Sequence, residues 1–164
     1  MQLSTRGRYA VMAMVDLAAR DTEVCLSGPV CLADIAARQQ LSHSYLEQLF
    51  AKLRRAGLVC SARGRGGGYR LARPASEIAI ADIVGAVDER MKTTRCDTGS
   101  GGCLVAAAPA ASGEKCQTHD LWIELGRQIV LFLSGVTLAY GVLGRVLGRA
   151  SSLKQPASDP AGAE

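Results

Sequence analysis

Residues 41–71 read LSHSYLEQLFAKLRRAGLVCSARGRGGGYRL, and this stretch decides the fold. Leu46, Leu49, Phe50 and Leu53 recur at i, i+3, i+4 and i+7, the spacing of one buried helical face. Ser42 is placed to cap that helix and Gly57 to stop it. The opposite face carries Ser44, Glu47, Gln48, Lys52 and Arg55, hydrogen-bonding and cationic groups suited to base edges and phosphates. Beyond Gly57, residues 58–62 and 69–71 flank RGRGGG, which predicts a β-hairpin with a glycine-rich tip. A cationic helix followed at once by such a hairpin reads as a recognition helix and its wing. Glycine lets the backbone approach a groove, and Arg63 and Arg65 suit the negative potential of a narrow minor groove. A phosphate-cradling loop is disfavoured, because the run does not end in Gly-Lys-Ser/Thr.

Working outward toward the N-terminus, Ser4 or Thr5 can cap a first helix running to about Ala19. Its apolar face is Tyr9, Ala10, Ala13, Met14, Leu17 and Ala18. Gly28-Pro29 reads as a turn, Val30 to Leu32 as a short strand, Ala33 to Arg38 as a short helix, and Gln40 to Ser42 as a break. Two short helices about a tight break predict a helix-turn-helix. His43 reads as a surface polar group or phosphate contact rather than a ligand.

On the other side, Ile80 to Val87 predicts a helix with Ile80, Ile83, Val84 and Val87 on one face. Residues 96–116 read as irregular loop, and Thr118 can cap a long final helix. Trp122, Leu125, Ile129, Phe132 and Val136 then alternate three and four residues apart, a narrow helix-packing seam. That seam serves either a core within one subunit or a homodimer. Dimerisation is favoured, since pairing two recognition helices matches a symmetric operator. The expected fold is mostly α with a small β-hairpin wing. It divides into a winged helix-turn-helix domain over 1–75, a connecting helix over 76–95, a ligand loop over 96–119, a dimerisation helix region over 119–148 and a disordered tail over 149–164.

Charge supports this division. The chain of 164 residues has a net charge of +4, but residues 1–75 hold 11 Lys/Arg against 5 Asp/Glu, and residues 76–164 hold 8 against 10. The basic excess lies in the first half and points to a polyanion, which beside the helix and wing means double-stranded DNA, since neutralising phosphates releases condensed counterions; on charge alone a merely soluble basic face is the alternative. The longest apolar stretch, Ile129 to Val142, is broken by Ser134, Gly135, Thr137 and Gly141, so no membrane span is expected. The N-terminus has no secretory pattern, which leads to an expectation of cytoplasmic location. There, six cysteines read as ligands, reactive groups or buried side chains rather than as disulfides. No nucleophile or carboxylate constellation suggests an enzyme.

Cys96, Cys103, Cys116 and His119 form the pattern C-x6-C-x12-C-x2-H in a glycine-rich segment. Thiolate and imidazole donors suit zinc and iron-sulfur clusters alike, and the spacing leaves both open. His119 also has a plainer reading, a polar residue in the first turn of a helix. Cys25, Cys31 and Cys60 lack such company and are expected to be packing residues.

Four stretches in order, LSTRGRYAVMAM from Leu3, LSHSYLEQLF from Leu41, RGRGGGY from Arg63 and CQTHDLW from Cys116, together resemble the bacterial IscR-type iron-sulfur cluster regulators. The likeness covers about residues 1–145. It implies a homodimer that carries a 2Fe-2S cluster on Cys96, Cys103, Cys116 and His119 and controls iron-sulfur assembly genes, in contact with the assembly machinery. It further implies DNA readout by Ser44, Tyr45, Glu47 and Gln48, minor-groove entry by Arg63, and a role for Glu47 in choosing between operator classes. Two features depart from the family pattern: an insertion within residues 104–115, and Arg65 where proline is frequent. The alternatives are a related regulator with a 4Fe-4S cluster on three cysteines, sensing nitric oxide or iron, and a zinc-stabilised DNA-binding module.

Overall fold

The structure is a computed structural model that describes residues 4–23, 28–64, 66–87 and 118–144, without the side chains of residues 21–23 and His119. Arg65, Cys25, Cys96, Cys103, Cys116 and the expected tail lie outside the described residues.

Helix α1 spans Thr5–Glu23, one turn longer than its apolar pattern suggests. Ser4 Oγ accepts the Gly7 N–H at 3.1 Å, so the predicted cap forms. Ala10, Ala13, Met14, Leu17 and Ala18 are all fully buried, with Tyr9 packed at the rim. Val30 makes a single antiparallel bridge to Tyr69 rather than a strand, because Cys31 already serves as N-cap of α2, Leu32–Gln39.

The turn into α3, His43–Arg55, is made by Gln40 at φ 52°, the left-handed region. The Leu41 N–H returns to the Ala36 carbonyl at 3.0 Å, and the Gln40 N–H reaches the Ala37 carbonyl at 3.4 Å. This double return closes the last turn of α2 and aims the chain into α3. Leu46, Leu49, Phe50 and Leu53 are buried as their spacing predicts. Burying each of these large side chains is worth about 1.5–3 kcal/mol, so the rotation of α3 about its axis is firmly set.

Gly57 (φ +70°) leads into strands β1, Val59–Ala62, and β2, Gly68–Leu71, paired antiparallel in the register Val59↔Leu71 to Ala62↔Gly68. A 3-10 turn at Ala75–Glu77 precedes α4, Ile80–Val87, whose four predicted apolar residues are buried. Helix α5, His119–Ser134, packs on α4, and the short α6, Leu138–Val142, packs on α1.

Val136 corrects the expected seam. α5 ends at Ser134, and the chain turns inward through Gly135. Val136 is only 8% exposed, and its carbonyl accepts the Ile80 N–H at 2.9 Å. It is a core residue of this subunit, because the backbone pairing of 136–138 with 78–80 pulls it off the outer face of α5. Cys31 and Cys60 correct the packing expectation: both are exposed free thiols, one at a helix cap and one on the solvent side of β1. No helix of the described residues is long and apolar enough to cross a membrane.

Candidate nucleic-acid interface and ligand segment

Because α3 buries one face, the other is held outward, and Ser44, Glu47, Gln48 and Arg55 are all exposed on it. Ser42 takes the extended conformation of an N-cap, and its hydroxyl lies 3.0 Å from that of Ser44. His43 Nδ1 and Glu47 Oε1 stand 3.8 Å apart one turn away from each other, an ion pair only when the imidazole is protonated. Tyr45 is half-buried, its ring meeting that of Tyr9 edge-on with centroids 6.1 Å apart. This contact ties the first turns of α1 and α3 together.

Lys52 is placed differently from the exposed set. Its ammonium donates to the Val87 carbonyl at 3.1 Å, binding the middle of α3 to the C-terminal end of α4.

The wing is fixed to α3 at two points and to the segment before α2 at a third. Phe50 packs edge-on against Tyr69 at 4.8 Å, and Arg54 Nη1 donates to Ser61 Oγ at 3.3 Å. Val30 and Tyr69 exchange backbone hydrogen bonds of 2.9 and 2.8 Å. That exchange needs Gly68: a Cβ there would stand 2.2 Å from the Val30 carbonyl oxygen. At the tip, Gly64 and Gly66 hold positive φ, and Arg63 is exposed.

Two features were missed by the pattern of apolar spacing. Arg54 links recognition helix and wing through Ser61, a contact that helical spacing does not signal. Asp16 sits within the buried side of α1 and accepts hydrogen bonds from Arg38 at 2.8, 3.0 and 3.1 Å and from Gln39 at 2.9 Å. Burial opposes its ionisation, but the hydrogen bonds from Arg38 and Gln39, with the charges of Arg38 and Arg20, outweigh it. The carboxyl is thereby held below its ordinary value. An acid falling inside an apolar stripe was the available signal.

Among the described residues, no three His, Cys, Asp or Glu side chains gather at a metal-binding spacing. The expected ligands Cys96, Cys103 and Cys116, and the side chain of His119, lie outside them. The flanking elements are described: α4 and α5 pack together, and His119 is the first residue of α5.

A helix-turn-helix carrying a docked hairpin, with a polar and cationic recognition face, defines a winged-helix DNA-binding transcription regulator. Residues 3–142 match the Rrf2 family, described as an iron-dependent transcriptional regulator, and the chain belongs to that family. It is 53% identical over 139 residues to a sequence named as an HTH-type transcriptional regulator in Azotobacter vinelandii, covering 85% of this chain and 77% of that one. It is 49% identical over 138 residues to the HTH-type transcriptional regulator IscR of Cronobacter sakazakii, covering 84% and 78%. The solved structure of T. potens IscR superposes with a TM-score of 0.66 at 35% identity, over 95% of this chain and 94% of that one. These relatives are regulators rather than enzymes, and the mostly helical fold with its two-stranded hairpin matches theirs.

Proposed function

We propose that this regulator senses iron-sulfur cluster status through a 2Fe-2S cluster held by Cys96, Cys103, Cys116 and His119, and controls genes of iron-sulfur assembly. The observation that carries the proposal is the donor set itself. Three thiolates and one imidazole fall inside the region matched by a family described as iron-dependent, in a segment running between two helices that pack together. Soft thiolates with one imidazole fit an iron-sulfur centre, and the neutral imidazole leaves it less negative than four thiolates do. When bound, such a cluster supplies a redox couple and a local charge that changes on loss of iron.

The chain's own residues supply the DNA contacts. Ser44, Tyr45, Glu47 and Gln48 face the major groove in the first turns of α3, Arg55 faces phosphate, and Arg63 with Arg65 enters the minor groove. Glu47 accepts from a cytosine amino group at one operator and repels phosphate at another, which makes it the residue that chooses between operators. Lys52 holds α3 to α4, so the helix leading to the ligand segment is bonded directly to the recognition helix. Trp122, Leu121, Leu131 and Phe132 are exposed on α5, with Leu125 and Ile129 half-buried beside them. An apolar face of this kind is the homodimer interface. The ligand segment also offers the surface that meets the cluster-assembly machinery.

Anaerobic purification followed by absorption and Mössbauer spectroscopy, with iron, sulfide and zinc analysis, tests the reading. A 2Fe-2S spectrum that changes in His119→Ala is expected. A colourless protein with stoichiometric zinc overturns it, and a 4Fe-4S spectrum indifferent to His119 transfers the chain to the nitric oxide or iron sensors.

A further inference from the structure

Arg6 stands in a position that the helical pattern makes unusual. It precedes Leu17 by eleven residues, which at about 100° per residue puts the two within about 20° of one another around α1. Leu17 is fully buried, yet Arg6 is exposed. The first turn of α1 therefore overhangs the core on the core-facing side. What lies alongside is the first turn of α3, through the contact of Tyr9 and Tyr45 at 6.1 Å. Tyr9 follows Arg6 by three residues and shares its side of the helix. Among the described residues Arg6 takes part in none of the ion pairs, which involve Arg38, His43, Arg73 and Arg127.

We infer that Arg6 contacts a backbone phosphate on the edge of the major groove that α3 enters. The groove is about 12 Å wide, so a helix whose first turn enters it has phosphates within reach of a long side chain on the neighbouring helix. Positioning contacts of this kind are commonly made by the elements beside the recognition helix. Arg8 provides an internal contrast. It is also exposed, but it precedes Leu17 by nine residues and lies about 180° from it, facing away from the core. The inference rests on α3 being the groove-entering helix, with Arg63 on its wing.

The test uses the full chain and a random-sequence 30-base-pair duplex, with the association constant measured against salt. Each phosphate contact contributes about 0.9 to the slope of log K on log salt. Arg6→Ala, which removes one contact from each subunit of the proposed homodimer, is expected to lower the slope magnitude by about 1.8, Arg6→Lys to keep the parent slope, and Arg8→Ala to leave it unchanged. An unchanged slope in Arg6→Ala, or equal losses in Arg6→Ala and Arg8→Ala, overturns the inference. Arg63→Ala separates it from the underlying reading: a loss there without one at Arg6 removes only the α1 contact, whereas no loss at either removes the wing and α3 assignment as well.

Discussion

Replacing Asp16 by alanine removes the acceptor of four hydrogen bonds that join α1 to the end of α2. Hydrogen bonds to charged groups are worth about 1.5–3 kcal/mol each, but those sharing one carboxylate do not add. Asp16 is 6% exposed at its side chain while Arg38 is 32% exposed, so the abandoned guanidinium regains part of its hydration. The expected loss is about 2–3 kcal/mol. For a chain of this size each kcal/mol moves Tm by about 2–4 °C, which gives a drop of about 5–10 °C at pH 7. The carboxyl titrates below its ordinary value of about 3.9, so its stabilisation is complete above that pH and disappears as pH falls through the lower folded value. The Tm gap between parent and Asp16→Asn is therefore expected to stay constant from about pH 7 to 5 and to close below about pH 4. Thermal unfolding followed by circular dichroism measures both. An Asp16→Ala Tm within about 2 °C of the parent, or a gap that widens in acid, would show that the Asp16 hydrogen bonds do not stabilise the fold.

Gly68→Ala must part the backbone pair of Val30 and Tyr69, costing about 1–3 kcal/mol in chemical denaturation and weakening DNA binding through a displaced wing. Lys52→Ala is expected to cost about 1 kcal/mol of stability and to leave the salt dependence of DNA binding unchanged, since the ammonium is bonded to the Val87 carbonyl. A slope reduced by about 1.8, one contact from each subunit of the proposed homodimer, would return Lys52 to the phosphate contacts. Phe132→Asp, which sets a charge on the exposed face of α5, is expected to turn the proposed dimer into a monomer in sedimentation experiments while preserving helical content.

The elements were legible wherever one apolar period governed them. The stripes of α1, α3 and α4 are buried as read, and the glycine run between residues 58 and 71 folds into the expected hairpin. What escaped depends on partners distant in the chain. Val136 continues the α5 spacing, but its backbone pairs with 80, more than fifty residues earlier, and that contact leaves no trace in periodicity. Lys52 has the residue type of a phosphate contact, yet the end of α4 passes within reach of its ammonium. Cys60 alternates to the solvent side of a two-stranded hairpin that is covered on one side only, so small apolar character did not imply burial. The exposed face of α3 was readable because burial of one side of the helix dictates the other. Of the proposed ligands, Cys96, Cys103 and Cys116 lie outside the described residues, and only His119 begins a described element.

We propose that one chain both reads DNA and answers to iron through its cysteine segment. The decisive experiment is to sequence the genomic fragments retained by anaerobically purified protein before and after iron is removed by chelation. Two overlapping but different sets are expected, the change disappearing in His119→Ala. An identical set in both states, from protein shown to have lost its iron, would contradict it.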